Sequence, residues 1–261
     1  MNILDRILAT KQEEMEAARK LKSYADILDE ALEVKRPVRS FSKALVGSPT
    51  GIIAEFKRRS PSKGYIKEGA DAGQIVGGYS GSGAAAISVL TDRKYFAGSL
   101  DDLRTARTVT DKPLLRKDFI IDPYQICEAR IVGADVILLI ASALGPESCR
   151  SLAAFAHTLG LEVLLELHDE TELEYIDPNI DVVGINNRDL TTFVTDTSVS
   201  ERLSGMLPSE VVRISESGIS SPDTVRKLRV KGFKGFLMGE NFMKEDDPAG
   251  ALKTFIKELE Q

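Results

Sequence analysis

The fold is decided by a buried-strand signal that recurs along the chain and is clearest in ADVILLIAS, residues 134–142. Its run of Val, Ile and Leu is unbroken, whereas a half-exposed strand would alternate apolar with polar side chains. After a helix-like segment, 146–160, the signal returns in LEVLLELHD, residues 161–169. Strands of this kind have helices on both faces, and consecutive βα units join parallel strands by right-handed crossovers. The stretch therefore predicts a parallel sheet wrapped in helices.

Eight strand signals of this kind follow residue 50, with helix-like segments between them. The strands are predicted at 51–57, 84–92, 113–119, 134–142, 161–169, 181–189, 211–219 and 235–242. The predicted helices include 99–109, 122–133, 146–160, 222–232 and 247–260. Eight βα units fit a (β/α)8 TIM barrel, for which about 250 residues is a usual length.

The turn after the first strand separates this barrel from the alternative fold, a doubly wound open sheet. Such a sheet usually has a glycine-rich turn at that place. Residues 57–64 read KRRSPSKG instead, which contains neither a G-x-G-x-x-G nor a P-loop pattern. We therefore predict an α/β protein with a TIM barrel over residues 48–261. Residues 1–47 are predicted to form an N-terminal helical extension packed on the barrel, so that the whole chain is one structural domain.

Composition and charge restrict the possible functions. The chain of 261 residues has a net charge of −6, which argues against general nucleic-acid binding. The sequence shows no signal-peptide pattern and no apolar run of the roughly 20 residues that a membrane span requires. Its two cysteines, Cys127 and Cys149, fall in helix-like segments without metal-ligand spacing to either histidine. We expect a cytoplasmic protein without a metal, a nucleic-acid partner or a membrane.

Charged residues recur at the carboxyl ends of the predicted strands, where the active sites of TIM barrels form. Glu55 and Lys57 end the first strand and, lying two residues apart, share one face of it. Lys117 ends the third strand, and Glu166 ends the fifth after the apolar run VLL, residues 163–165. Because these ends meet at one edge of the sheet, the pattern predicts a charged site there.

Ordinary structural explanations remain open for some of these residues. Lys57 could be a solvated strand-end lysine, and Lys117 could form a salt bridge with Asp118, although neighbours on a strand point to opposite faces. His168 is expected to be structural, with a loop hydrogen bond beside Asp169.

The last two predicted loops indicate an anion site. SESGIS, residues 215–220, follows the seventh strand, and MGENFM, residues 238–243, follows the eighth. Each contains a glycine, Gly218 or Gly239, at which backbone N–H groups can approach an anion. The loops after strands seven and eight form the recurrent phosphate site of TIM barrels. The pattern predicts a small phosphorylated ligand.

A set of motifs in this order resembles the indole-3-glycerol-phosphate synthase family of tryptophan biosynthesis. The motifs are IIAEFKRRSPSKG (52–64), TDRKYFAGS (91–99), LLRKDFIIDPYQI (114–126), LLIAS (138–142), GINNRDL (184–190), ESGI (216–219) and MGENFM (238–243). The resemblance runs through nearly the whole chain, including the helical extension. It implies a carbon–carbon lyase that closes the indole ring of 1-(2-carboxyphenylamino)-1-deoxyribulose 5-phosphate with loss of carbon dioxide and water. It implies neither a cofactor nor a metal.

The resemblance also implies roles for individual residues. Lys117 matches the lysine that protonates the substrate carbonyl, and Glu166 matches a glutamate that stabilises the intermediate or transfers a proton. Glu55 and Lys57 match a pair that orients the substrate and assists dehydration. The predicted catalytic residues are Glu55, Lys57, Lys117, Glu166, Asn186 and Ser217. The predicted substrate-binding residues are Ser60, Phe96, Phe119, Arg188, Glu216, Gly218, Gly239 and Glu240.

The resemblance leaves partners and some details as expectations. We expect a monomer that associates with other enzymes of the tryptophan pathway. Ser215, before ESGI, and Asn241-Phe242, in the last loop, depart from the commoner family residues. Two other functions are considered: another phosphate-binding barrel isomerase, such as phosphoribosylanthranilate isomerase, and a non-catalytic barrel that binds a phosphorylated metabolite. The isomerase would call for a Cys and Asp pair at strand ends, and the sensor would not need the two strand-end lysines.

Overall fold

The computed structural model describes residues 2–189 and 194–261, and within them eight parallel strands close into a barrel. Neighbouring strands follow chain order, and the last strand pairs with the first. The strands are β1 (Ile52–Phe56), β2 (Ala86–Leu90), β3 (Leu114–Lys117), β4 (Val136–Ile140), β5 (Glu162–Leu167), β6 (Val182–Asn186), β7 (Val212–Glu216) and β8 (Gly235–Met238). The predicted TIM barrel is confirmed, and each strand lies within its predicted range.

Helices surround this barrel and precede it. They are α1 (Ile3–Leu21), α2 (Tyr24–Glu33), α3 (Phe41–Val46), α4 (Ala72–Gly81), α5 (Arg93–Phe96), α6 (Leu100–Val109), α7 (Pro123–Val132), α8 (Pro146–Thr158), α9 (Ser198–Ser204), α10 (Pro222–Val230), α11 (Glu240–Met243) and α12 (Pro248–Leu259). Two 3-10 helices, Ala141–Ala143 and Glu170–Tyr175, and a two-stranded hairpin, Arg59–Ser60 with Gly64–Tyr65, complete the described elements. The SPSKG turn predicted after β1 forms the bend of this hairpin.

Local sequence accounts for where many helices begin. Ser, Asp or Asn side chains at the N-cap accept a hydrogen bond from the first turn, as in the capping box of Asn2 and Asp5 on α1. Proline occupies the first turn of α7, where its missing N–H costs no hydrogen bond. The same helix ends at Gly133, whose φ of 102° is unfavourable for a residue with a Cβ atom.

The helices before β1 close both ends of the barrel. Near its amino end, Phe41 and Leu45 of α3 are fully buried in the interior cluster that includes Val136 and Leu164. At its carboxyl end, α1 contributes Ile7 and neighbouring apolar side chains to the pocket above the strands. The boundary between extension and barrel at residue 47 stays a prediction, because helices that precede this boundary complete both ends of the barrel.

A buried carboxylate joins this segment to the barrel wall. Asp135, fully buried before β4, accepts hydrogen bonds from Arg36 Nη1 at 2.6 Å and from the Arg39 N–H at 3.0 Å. Its second oxygen accepts from Arg107 Nη1 at 2.7 Å and from the Leu114 N–H at 2.9 Å. Charge-assisted bonds of this kind are roughly twice as strong as neutral ones, so Asp135 ties the extension to the strand ends.

None of the helices in residues 2–189 and 194–261 is long and apolar enough to cross a membrane.

Candidate active site

Two pockets meet above the carboxyl ends of the strands. The first lies over the barrel axis and is lined by apolar and charged residues: Ile3, Leu4, Ile7, Ser60, Leu90, Phe96, Lys117, Phe119, Leu138, Ile140, Glu166, Asn186 and Glu216. The second lies over β7, β8 and their loops and is lined by Lys63, Thr195, Gly218, Ile219, Ser220, Gly239, Glu240, Asn241 and Lys244. Both pockets contact Glu55, Lys57, Ser62, Arg188 and Ser217. One elongated molecule could therefore occupy the two together.

Lys117 stands between two carboxylates in the first pocket. Its Nζ lies 2.7 Å from Glu166 Oε2 and 2.5 Å from Glu216 Oε2. Burial alone would lower the pKa of Lys117, but Glu166, Glu216 and Glu55 outweigh burial, so the pKa is raised above its ordinary value. The ammonium group therefore keeps its proton at neutral pH until a stronger base develops beside it.

Glu216 is the carboxylate with the least favourable surroundings for a charge. Burial raises its pKa to about 7, with Glu166 and Glu55 adding to the rise and Lys117 opposing it. Its Oε1 has no hydrogen-bond partner within the part of the chain that the structure describes. A side chain at Gly184, the residue beside Glu166 in the β5–β6 register, would collide with this oxygen, so the glycine makes room for the carboxylate.

Glu166 is held on both sides. Lys117 contacts its Oε2, whereas Oε1 accepts a hydrogen bond from Asn186 Nδ2 at 2.9 Å and lies 3.3 Å from His168 Nε2. Burial would raise the pKa of Glu166, but Lys117 and His168 outweigh it and keep the pKa below its ordinary value. Glu166 is therefore favoured in its ionised form, whereas the charged form of its neighbour Glu216 is disfavoured.

His168 contacts the predicted site, whereas the sequence indicated only a structural loop residue. Burial would lower its pKa, but Glu166, together with Glu172 at 3.4 Å from Nδ1, raises the pKa to about 10. The imidazolium form is thus favoured between two carboxylates. The sequence could have predicted this position of His168, because it lies two residues after Glu166 in the predicted strand and residues two apart on a strand share a face.

Glu55 and Lys57 form a second ion pair, at the boundary of the two pockets. Lys57 Nζ lies 2.6 Å from Glu55 Oε1, and both side chains are largely buried. A Cβ atom at Gly239 would lie 2.5 Å from the same oxygen, so the glycine of the last loop is in contact with this pair. The shared face that the sequence predicted for Glu55 and Lys57 points to the barrel mouth.

The second pocket has the features of an anion site. Lys57, Lys63, Arg188 and Lys244 supply positive charge around it. Ser217 has a φ of 64° and Gly218 a φ of 72°, so the loop after β7 passes through the left-handed region at two successive residues beside this pocket. Among the described residues, no hydrogen bond uses the N–H of Gly218.

Glu240 lies at the rim of this second pocket, 3.7 Å from Lys63 Nζ and 4.0 Å from Arg188 Nη2. Ser60, a predicted substrate-binding residue, lines the first pocket, and its Oγ lies 3.5 Å from the Oγ of Ser62, which borders both pockets. Sequence reasoning did not single out Ser62 and Lys63, although both belong to the quoted SPSKG turn. Leu190, the end of the GINNRDL motif, lies outside the described residues.

The far end of the first pocket is aromatic and apolar. The rings of Phe96 and Phe119 lie 6.1 Å apart at 39° to one another, and Ile3, Leu4 and Ile7 of α1 cover them from above. Such a surface suits a flat aromatic group, which gains from burial and from ring contacts.

A buried lysine fastens α1 over this aromatic end. Lys11 Nζ lies 2.9 Å from Asp92 Oδ2 and 3.0 Å from Asp118 Oδ1, and the lysine side chain is only 3% exposed. Asp92 is the N-cap of α5, which contains Phe96, and Asp118 precedes Phe119. The covering helix and the two rings are thus joined through one cation.

Comparison with known proteins agrees with this geometry. A family model described as indole-3-glycerol phosphate synthase matches residues 4–255. The chain belongs to the indole-3-glycerol phosphate synthase family. The match includes the N-terminal helices and every site residue predicted from the sequence. The indole-3-glycerol phosphate synthase from Bacteroides thetaiotaomicron is 52% identical to the chain, over 99% of both proteins. The one from Bordetella pertussis is 44% identical, over 98% of the chain and 99% of the relative. The one from Thermoanaerobacter pseudethanolicus is 40% identical over 98% of both.

Among solved structures, a mutant tryptophan synthase alpha-subunit from the hyperthermophile Pyrococcus furiosus superposes with a TM-score of 0.61 at 14% identity. The superposed part covers 80% of this chain and 97% of the tryptophan synthase alpha-subunit. This likeness concerns the fold alone. The isomerase alternative required a cysteine at a strand end. Cys127 lies in α7 and Cys149 in α8, both buried, so neither cysteine is at the mouth of this indole-3-glycerol phosphate synthase family barrel.

Proposed function

We propose that the protein is a carbon–carbon lyase that converts 1-(2-carboxyphenylamino)-1-deoxyribulose 5-phosphate to indole-3-glycerol phosphate, carbon dioxide and water. The observation that carries the proposal is the position of Lys117, a buried proton donor between two carboxylates, at the meeting point of an aromatic pocket and an anion pocket. The substrate has the same three parts in the same order: an aromatic ring, a carbonyl carbon and a phosphate.

The orientation of the substrate follows from the two pockets. Its carboxyphenyl ring would lie against Phe96 and Phe119, where the covering helix excludes water. Its phosphate would accept hydrogen bonds from backbone N–H groups at Gly218 and Gly239, in a pocket with four cationic side chains along it. Arg188, at the boundary of the pockets, and Glu240, at the rim, complete the proposed binding residues.

Ring closure requires an acid at the carbonyl that becomes an alcohol. In our proposal Lys117 donates this proton, because its ammonium group is protonated at neutral pH and the developing alkoxide is a stronger base than the lysine amine. Glu166 remains ionised and stabilises the cationic intermediate formed when the ring carbon bonds to the carbonyl carbon. Asn186 fixes the carboxylate of Glu166 through its amide, at 2.9 Å. Loss of the ring carboxylate as carbon dioxide then leaves the electron pair of the broken carbon–carbon bond on the ring, which neutralises the cation.

Dehydration is proposed to use the second ion pair. Lys57 and Glu55 lie at the boundary of the pockets, 2.6 Å from one another, beside the place where the hydroxyl formed at the former carbonyl carbon would leave. One member gives a proton to the departing hydroxyl while the other accepts one from the ring. Glu216, whose pKa is raised to about 7, and Ser217, at the junction, are proposed to help place the sugar chain.

The proposal is tested by supplying the carboxyphenylamino-deoxyribulose phosphate and following indole fluorescence. The wild-type protein is expected to form the indole, and Lys117→Met to lower kcat by about a hundredfold or more, the usual contribution of a general acid. Because the methionine leaves the aromatic and anion pockets in place, the Kd of a substrate analogue should change little. Absence of indole from well-folded wild-type protein would refute the function. A Lys117→Met variant with near wild-type kcat would refute the role of the lysine alone.

We further propose that the protein acts as a monomer in the cytoplasm and associates with other enzymes of the tryptophan pathway. Light scattering coupled to size exclusion tests the monomer. A dimer mass at micromolar concentration would contradict it.

A further inference from the structure

The second asparagine of the INNRDL motif has an environment unlike that of the first. Asn186 lines the first pocket, whereas Asn187 faces the other way, as neighbours at a strand end do, and lines neither pocket. Only 2% of Asn187 is exposed. Burying an amide costs free energy unless its donors and acceptors are paired, so the partners of Asn187 indicate what it is for.

These partners all belong to the end of β7 and the start of α9. The two hydrogens of Asn187 Nδ2 are shared among three acceptors: Ser215 Oγ at 3.0 Å, the Glu216 carbonyl at 2.9 Å and the Ser217 carbonyl at 3.0 Å. Asn187 Oδ1 accepts from the backbone N–H of Ser200 at 3.1 Å and from its hydroxyl at 2.8 Å. Donors and acceptor of the amide are thus all used, and the amide holds two successive carbonyls of the strand that leads into the anion pocket.

The carbonyl of Ser217 matters because it shares a peptide plane with the N–H of Gly218. The described residues contain no cis peptide bond, and in a trans peptide the C=O and the N–H point in opposite directions. A Ser217 carbonyl fixed towards Asn187, in the protein interior, therefore turns the Gly218 N–H the other way. On that side lies the second pocket, which Gly218 lines.

The backbone here would not keep this orientation unaided. Ser217 has a φ of 64°, in the left-handed region that residues with a side chain rarely adopt and that costs of order 1 kcal/mol. Without the hydrogen bond from Asn187, the peptide between Ser217 and Gly218 could rotate to relieve this conformation. The N–H of Gly218 would then leave the pocket.

We propose that Asn187 is a positioning residue for the phosphate: it fixes the 217–218 peptide plane so that the Gly218 N–H points at the anion. This inference rests on the proposed function only for the identity of the phosphorylated substrate. Asn187 itself touches no substrate, and its effect is transmitted through the carbonyl of Ser217. Ser215 adds a hydroxyl to the same network, 2.7 Å from the hydroxyl of Ser200.

The test compares Asn187→Ala with the control Asn179→Ala. Asn179 lies in the loop that precedes β6, at the other end of this strand from Asn187. Binding of inorganic phosphate is measured by calorimetry, which needs no turnover. We expect the Kd of phosphate to rise about tenfold in Asn187→Ala, the loss of one hydrogen bond to a charged group, and to stay within twofold in the control.

Kinetics then separate positioning from a general loss of structure. For the phosphorylated substrate, KM should rise about tenfold in Asn187→Ala while kcat stays within threefold. For the same compound without its phosphate, kcat/KM should be unchanged, because the Gly218 N–H has no anion to bind. An equal loss with both compounds, or an unchanged phosphate Kd, would overturn the inference.

Two further results keep the test decisive. If Asn187→Ala does not fold, Ser200→Ala replaces it, because this change removes the hydroxyl that donates to Asn187 Oδ1 and contacts Ser215 Oγ, and leaves the Asn187 amide in place. The expected rise in phosphate Kd is then about threefold, and an unchanged Kd would overturn the inference. If wild-type protein binds phosphate but forms no indole, the proposed function fails while the inference about Asn187 is still decided by calorimetry.

Discussion

Replacing Glu216 by glutamine should change how the stability of the protein depends on pH. The glutamine has the shape of the glutamate and fits the space opposite Gly184, and Lys117 keeps its contact with Glu166 at 2.7 Å. What the substitution removes is a buried carboxyl whose pKa is raised from 4.5 to about 7. At about 1.4 kcal/mol for each pH unit, this difference amounts to about 3 kcal/mol.

The sign of the effect follows from the protons bound in each state. Between pH 4.5 and about pH 7 the folded protein keeps a proton on Glu216 that the unfolded chain has lost. The contribution of Glu216 to stability is therefore fully present below pH 4.5 and is lost as the pH rises through about 7. Glutamine carries no such proton, so Glu216→Gln should gain about 3 kcal/mol relative to wild type between pH 4.5 and pH 8.5.

The measurement is the free energy of unfolding from urea denaturation at several pH values across this range. The control, Glu13→Gln, changes an exposed residue of α1 and should follow the wild-type profile within about 0.5 kcal/mol. A difference between Glu216→Gln and wild type that stays constant across the range would refute the reasoning, because it would mean that Glu216 titrates alike in both states.

Two other substitutions test the contacts around the site. Lys11→Met leaves Asp92 and Asp118 buried beside an uncharged side chain, and we expect it to lower the free energy of unfolding by about 3 kcal/mol. The same change at the exposed Lys20 on α1 should cost under about 0.5 kcal/mol, and equal losses at both positions would contradict the role of Lys11. Gly239→Ala would place a methyl group 2.5 Å from Glu55 Oε1, and steady-state kinetics should show kcat/KM reduced by about tenfold or more; a wild-type value would mean that Glu55 can move without consequence.

Much of the barrel could be predicted because its signals are local. An unbroken apolar run such as VILLI in β4 follows from burial on both faces, and a helix start such as Asp122-Pro123 follows from capping. These preferences are properties of a few adjacent residues. The predicted strands and helices therefore agree with the structure to within a few residues at each end.

The pairing of charges could not be predicted in the same way. Asp118, the simplest partner for Lys117 in the sequence, faces the opposite side of the strand, where it is 3.0 Å from Arg116 and 3.0 Å from Lys11. Lys117 instead contacts Glu216, 99 residues further along the chain. Which carboxylate reaches a given lysine depends on the closure and register of the whole barrel.

The sequence by itself determined the architecture, the family and the strand ends at which the charged groups of the candidate site lie. Each of these depends on the order of residues along short stretches or on motifs. Only the tertiary structure decided that Glu216 shares Lys117 with Glu166, that His168 reaches Glu166, and that Asn187 holds the Ser217 carbonyl. The physical reason is that pKa values and hydrogen-bond partners depend on distances of a few ångströms across neighbouring strands, which the chain sets only when the barrel closes.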